Sequence, residues 1–263
     1  MNDFTLPAAI TASEQPVEKQ ALDPSRLVLG VLGGMGPLAG ATFASRLVQL
    51  TPAATDQEHI PVVVCNDPRI PDRSGAYLSG TEDPFPAMAR GLHMLEACGA
   101  GLIAIPCNTA HLWYEKLVGA TKLPVLHIVD SVIADLKRQG VHSGVVGVMG
   151  TAATLKLQLY QKALIKAGYE PLLLSEQETH DYCLEPIRLV KQGNVPASFE
   201  PAAHGVRLLA QRGAKAVVLG CTELPLAVPH EHRAGLGAVV TDSIDALALQ
   251  AIDYIQARER VVA

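Results

Sequence analysis

Gly101-Leu102-Ile103-Ala104-Ile105-Pro106-Cys107-Asn108-Thr109-Ala110-His111 is an apolar run of strand length that delivers a thiol into small hydrogen-bonding residues. A strand closing on Pro-Cys-Asn-Thr offers a nucleophile or base beside backbone N–H groups that the sheet no longer uses. Val217-Val218-Leu219-Gly220-Cys221-Thr222-Glu223 repeats the arrangement: branched aliphatic residues, then Cys, then Thr. Each segment is preceded by a helical pattern and a Gly-Ala pair, from Leu92 to Cys107 and from Leu208 to Cys221. About 20 residues after each thiol come Asp130-Ser131 and Asp242-Ser243, each able to cap a helix. The pattern is that of an internal duplication with a pseudo-twofold. It would put both thiols at the carboxyl ends of equivalent strands, where open α/β sheets place ligands.

The flanking chain alternates in the same way. Leu27-Val28-Leu29-Gly30-Val31-Leu32 reads as a buried strand, and Gly33-Gly34-Met35-Gly36-Pro37 as the turn into a helix over 38–50, with Pro37 suited to a first helical position. Residues 60–65 form a second apolar strand, 66–75 a polar loop carrying Arg69 and Arg73, and 86–98 a helix with Met88, Leu92 and Leu95 on one face. Further strands are expected at 124–129, 144–149, 172–174 and 216–219, and helices at 131–139, 154–167, 182–192 and 201–212. Strands alternating with helical patterns of this length give an α/β fold with parallel sheets built from βαβ units.

With 263 residues, 49% hydrophobic and 18% charged, the chain can bury a sizeable core, as one large or two modest α/β domains. No uninterrupted apolar run reaches the ~18 residues of a spanning helix, which argues against a membrane protein. The net charge is −5 and Lys and Arg form no block, which argues against nucleic acid as a partner and leaves small molecules. Five Cys make an odd count without paired spacing, as expected of reduced thiols in a cytoplasmic protein. Residues 1–25 carry no basic n-region or sustained apolar run and read as a disordered N-terminal extension.

A buried Cys is usually a small hydrophobe, and that reading fits Cys65 and Cys98, while Cys183 is undecided. Cys107 and Cys221 stand past strand ends beside Asn or Thr, at the expected start of a helix, where oriented N–H groups lower a thiol pKa. Gly34-Met35-Gly36-Pro37-Leu38-Ala39 formally matches the dinucleotide pattern G-x-G-x-x-A, which needs an acid about 20 residues on to hold a ribose. Asp67, the candidate, is about 30 residues on in a proline-rich loop, so the segment reads instead as a tight turn whose backbone faces a small acid. No Gly-Lys-Ser/Thr follows the turn and no G-x-S-x-G elbow occurs. His111, His127 and His142 share no ligand spacing, so no metal is expected and the histidines read as surface or capped residues. Arg69 reads as a solvated loop charge. Arg73 would overhang the carboxyl end of the sheet, where a guanidinium could grip a carboxylate with two parallel hydrogen bonds. Lys191 closes a helix, and compensation of the helix dipole is its plain reading.

With Gly33-Gly34-Met35-Gly36-Pro37, Pro71-Asp72-Arg73, Pro106-Cys107-Asn108-Thr109-Ala110-His111 and Gly220-Cys221-Thr222-Glu223 in order, the chain resembles the aspartate/glutamate racemase family over roughly residues 27–256. The Pro-Asp-Arg loop draws it toward the aspartate racemase branch. The resemblance implies two pseudosymmetric α/β domains, each a mainly parallel sheet flanked by helices, with the active site in the cleft between them. The expected division is 26–126 plus 236–260 for the first domain and 127–235 for the second. It further implies Cys107 and Cys221 as catalytic residues and Asn108, Thr109, Thr151 and Thr222 around the substrate α-carboxylate. Arg73 and Lys191 would take the side-chain carboxylate, and Met35 of the glycine turn would also contact substrate. No cofactor is implied, and the partners would be a small acidic amino acid and a second copy of the chain in a homodimer. The expected activity is interconversion of L- and D-aspartate. The alternatives are racemisation of glutamate or a broader range, a related superfamily isomerase or decarboxylase, and, from another class, a catalytically silent amino-acid-binding module.

Overall fold

Two parallel sheets share a central layer of helices. The computed structural model describes residues 26–262, and the extension expected over 1–25 lies outside them. The first half runs β1 (Leu29–Gly33), α1 (Pro37–Leu50), β2 (Val62–Asn66), α2 (Arg73–Ser79), α3 (Phe85–Ala97), β3 (Leu102–Ala104) and α4 (Tyr114–Gly119). After α5 (Ile128–Arg138), the second half runs β4 (Gly144–Gly150), α6 (Ala152–Lys156), α7 (Leu159–Lys166), β5 (Tyr169–Leu173), α8 (Glu176–Thr179), α9 (Glu185–Lys191), α10 (Val195–Gln211), β6 (Ala216–Gly220), α11 (Leu224–Ala227) and β7 (Val239–Asp242). The twenty-residue α12 (Ser243–Val262) follows.

The sheet orders are β2-β1-β3 and β5-β4-β6-β7, parallel throughout. Beyond β3, Val125 makes a single parallel bridge to Ile103, in the place that β7 takes beside β6. The two sheets therefore have one order, which is the duplication seen in the sequence. Strand periodicity sends alternate side chains to opposite faces. Leu29 and Val31 of β1 and Val146 and Val148 of β4 face the shared layer with Phe43, Leu47, Val132, Leu136, Leu247 and Ala251. The outer faces are covered separately, the first sheet by Met88, Leu92 and Leu95 of α3 and the second by Ala203, Val206 and Leu209 of α10. Each fully buried large aliphatic or aromatic side chain in these layers contributes about 1.5–3 kcal/mol.

The Gly-Ala pairs are matching helix ends. Gly99 has φ +85° and its N–H donates to Glu96 O, while Ala100 N–H donates to Leu95 O. Gly213 has φ +95°, with Gly213 N–H on Ala210 O and Ala214 N–H on Leu209 O. Both are Schellman caps, and both turn the chain straight into a thiol-bearing strand. The match extends to the packing below them. A Cβ on Gly30 of β1 would come within 3.3 Å of Leu95, and one on Gly147 of β4 within 3.0 Å of Leu209, so each glycine lets its helix sit close on its strand.

Several expected elements differ. The run at 124–129 is not a strand: it makes the one bridge and enters α5 at Ile128, because His111 accepts the Ile128 N–H at 3.1 Å and starts the helix early. Asp130 consequently lies within α5, whereas Asp242 accepts the Asp245 N–H at 2.7 Å at the start of α12. The helix expected over 154–167 is divided at Gln158, which adopts the left-handed region at φ 59°. Residues 236–260 were expected wholly in the first domain, yet β7 pairs with β6 in the second sheet, and only α12 passes on to pack against α1. The packing is reciprocal, since α5, which follows the first sheet, packs against α7 and β7 of the second. None of the helices among the described residues is long and apolar enough to cross a membrane.

Candidate functional site

Both thiols stand at carboxyl ends of strands. Cys221 directly follows β6, and Cys107 lies three residues beyond β3 in a tight turn in which its N–H donates to Ile105 O at 2.7 Å. Both are buried. One cavity in the cleft between the sheets is lined by all nine residues expected from the sequence: Met35, Arg73, Cys107, Asn108, Thr109, Thr151, Lys191, Cys221 and Thr222. Asp72, Ser74 and Glu223 complete its lining. A larger cavity, about 520 Å³, lies away from the thiols and is lined by Asp135, Arg138, Arg233 and Asp242 among others.

Polar side chains from opposite halves meet beside Cys107. The Thr109 and Thr151 hydroxyls are 3.0 Å apart, and Thr151 caps α6 by accepting the Thr154 N–H at 3.2 Å. Asn108 donates from Nδ2 to Ser243 Oγ at 2.8 Å and accepts the Tyr160 hydroxyl at Oδ1. His111 anchors the turn from below. Its Nε2 accepts from Ile128, so Nδ1 carries the proton and donates to the Cys107 carbonyl at 2.9 Å. Burial, with His127 adding to it, pushes the His111 pKa down to about 3, and the imidazole is neutral. His111 is thus a buried capping residue.

Arg73 opens α2 and is not a loop residue as expected. Asp72 caps that helix by accepting the Gly75 N–H at 2.5 Å, which fixes the Arg73 backbone. The buried guanidinium donates from Nη1 to Ile70 O and Pro71 O at 3.1 and 2.8 Å, while Nε has no hydrogen-bond partner among the described residues. A buried guanidinium held by one nitrogen keeps donors for a ligand. Lys191 is the last residue of α9, consistent with dipole compensation, and it also lines the cavity mouth with its side chain exposed. Desolvation works against its charge, but Glu223 and Cys221 outweigh it and raise the pKa.

The expected lowering of the thiol pKa by a helix start does not hold at Cys221. Burial pushes this thiol well above its ordinary value, Glu223 adds to the shift, and Lys191 only opposes it. The following helix, α11, has four residues, too few to present a useful dipole.

Glu223 is the residue that sequence reasoning passed over. Its side chain is buried, with Oε2 3.0 Å from Cys221 Sγ and Oε1 accepting the Gly36 N–H at 3.3 Å. A signal was present: an acid between Val217-Val218-Leu219 and Leu224-Pro225-Leu226-Ala227 interrupts an otherwise apolar run. Tyr160 was also missed, and nothing near it in sequence points to the cleft.

The glycine turn faces Glu223 through Gly36, while Asp67, the candidate ribose acid, pairs with exposed Arg69 at 2.8 Å, which holds the carboxyl down at about 2. His230, Asp242 and Asp245 have metal-ligand spacing, but Arg233 already bonds Asp242 at 2.7 Å and Arg46 bonds Asp245 at 2.6 Å. The cleft thus brings two thiols together with hydroxyl, amide and cationic side chains.

Residues 32–251 match the family described as Asp/Glu/Hydantoin racemase. Among curated proteins, the broad specificity amino-acid racemase RacX of Bacillus subtilis (strain 168) is 27% identical over 209 residues, covering 77% of this chain and 88% of its own. The glutamate racemase of Aquifex aeolicus (strain VF5) is 27% identical over 166 residues, covering 62% of each. Among solved structures, Picrophilus torridus aspartate racemase superposes with a TM-score of 0.77 at 30% identity, covering 88% of this chain and 94% of its own. An aspartate racemase homologue from Pyrococcus horikoshii OT3 shares the fold, with a TM-score of 0.69 at 23% identity over 87% of this chain and 98% of its own. Sheet order, duplicated thiol strands and family match agree, and this chain is a member of the Asp/Glu/hydantoin racemase family, an amino-acid racemase.

Proposed function

We propose that the chain racemises aspartate without a cofactor, with Cys107 and Cys221 as its two bases. The observation that supports this is a single cavity lined by both thiols together with Arg73 and Lys191. In each turnover one cysteine, as thiolate, takes the Cα proton and becomes a thiol. The electron pair of the broken C–H bond moves into the α-carboxylate, and the opposite cysteine then gives its S–H proton to the other face of Cα and is left as thiolate. The carbanion is stabilised by donors aimed at the α-carboxylate, a role suited to Asn108, Thr109, Thr151 and Thr222. Arg73, with free donors in a buried position, and Lys191 at the mouth would take the side-chain carboxylate.

Aspartate is favoured over glutamate by the likeness to the Picrophilus enzyme, while the Bacillus and Aquifex relatives keep broad and glutamate specificity as the comparison to make. Incubating the purified protein with L-aspartate in deuterated water tests the proposal. Deuterium at Cα together with D-aspartate is expected. Exchange with glutamate or neutral amino acids but not aspartate would overturn the substrate, and no exchange with any of them would overturn the mechanism.

A further inference from the structure

Glu223 makes the two halves of the thiol pair unequal. Its carboxylate is buried, and each of its oxygens faces a donor: Oε1 the Gly36 N–H at 3.3 Å, Oε2 the Cys221 thiol at 3.0 Å and the Thr222 hydroxyl at 3.4 Å. A carboxylate bonded in this way is an acceptor, and it accepts only from a protonated sulfur. Cys107 has no such neighbour. Among the described residues its hydrogen bonds are backbone ones, to Ile105 and His111, its side chain packs among apolar residues such as Leu32 and Ile105, and Asp72, the other acid on the cavity, is turned to the Gly75 N–H.

On the two-base reading above, we propose that Glu223 is a positioning residue that keeps Cys221 protonated in the substrate-free site, so that the resting enzyme carries its thiolate at Cys107. Deprotonating Cys221 would set a second anion beside a carboxylate in a site largely closed to water, and like charges at that distance disfavour ionisation. The other groups facing the pair are Lys191 from α9, Arg73 from α2, Cys107 and, on the inner side, Tyr160, behind which lies Asp242. Lys191 attracts both anions from the exposed mouth, but Glu223 touches the sulfur. Burial first, and Glu223 after it, push the Cys221 pKa up against the opposing charge of Lys191. A turnover that starts from the resting form transfers the Cys221 proton to substrate and leaves the unfavoured state, Cys107 thiol with Cys221 thiolate. The next turnover by the opposite enantiomer, or a proton returning to Cys221, restores the resting form.

The test maps alkylation of each cysteine by iodoacetamide as a function of pH, in substrate-free full-length protein, by peptide mass spectrometry. Midpoints rather than absolute rates are compared, so unequal access to the two sulfurs cancels. The Cys107 midpoint is expected at least about one pH unit below that of Cys221, a tenfold difference in thiolate fraction. Glu223→Gln keeps an oxygen for the Gly36 N–H but presents an amide donor to the sulfur. It is expected to lower the Cys221 midpoint by about one unit or more while leaving Cys107 in place. Equal midpoints in the unaltered protein, or a Cys221 midpoint indifferent to the substitution in a variant that melts normally, would overturn the proposal. If the variant does not fold, the unaltered protein decides alone. Neither readout needs turnover, so a protein that alkylates as expected yet exchanges no Cα proton would sink the racemase mechanism and leave the role of Glu223 standing.

Discussion

The Tyr160 hydroxyl donates to Asn108 Oδ1 at 2.5 Å, across the junction between the second half, which supplies α7, and the turn that carries Cys107. Both residues are buried, and the ring also packs against Gly220, where a Cβ would come within 2.7 Å of it. Tyr160→Phe keeps this packing but leaves a buried amide oxygen unpaired, which costs about 1–3 kcal/mol. The urea midpoint should fall accordingly, and racemisation should fall with it because Asn108 is no longer oriented. An unchanged midpoint would show that water takes over the bond.

Arg73→Ala should raise the Michaelis constant for aspartate by about 30-fold or more, the value of one charge-assisted pair at roughly 2–3 kcal/mol. Steady-state kinetics with aspartate and alanine side by side check this. Equal losses on both substrates would remove Arg73 from side-chain recognition.

Replacing either Cys107 or Cys221 with Ala should lower racemisation by about 10²–10⁴-fold, the usual contribution of a general acid or base. Polarimetry on folded variants provides the measurement. Full activity in either would end the two-base scheme.

His111 should make the protein acid-labile. Its folded pKa, about 3, lies below the ordinary 6.5, so below 6.5 the unfolded chain binds a proton that the folded one refuses. The stability it permits is intact above pH 6.5 and is lost as pH falls toward 3, by up to about 1.4 kcal/mol per pH unit. Denaturant titrations across this range should show a shallower slope in His111→Gln, whose side chain does not titrate there.

Gln158 holds φ 59° and ψ 39° between α6 and α7, where a Cβ crowds the following carbonyl. Gln158→Gly should stabilise the fold by about 0.5–1 kcal/mol, part of the relief being offset by the greater freedom of glycine when unfolded. Chemical denaturation would register it as a higher midpoint with the same slope.

The duplicated thiol strands were readable because every sign in them is local: a Gly-Ala helix end, an apolar strand, a cysteine. Arg73 is legible from its place in the loop after a strand, whereas Thr151 and the carboxylate role of Asn108 come only through the family resemblance. What escaped depended on distant partners. The run at 124–129 has the apolar composition of a strand, but it makes one bridge at Val125 and passes into α5 at Ile128, whose N–H the ring nitrogen of His111 accepts. Glu223 looked like an ordinary acid until its oxygens were seen between Gly36 and Cys221. Gln158 carries no sign of its left-handed backbone, since glycine or asparagine would be the usual residue there.

The exchange of closing helices, α5 onto the second half and α12 onto the first, means that the backbone crosses between the halves twice, once ahead of Ile128 and once at Asp242-Ser243. A body joined at one point can swing in any direction, but one joined at two is a door on a pair of hinges. The half that carries Cys107 and the half that carries Cys221 are thus tied to each other at two points of the backbone rather than one.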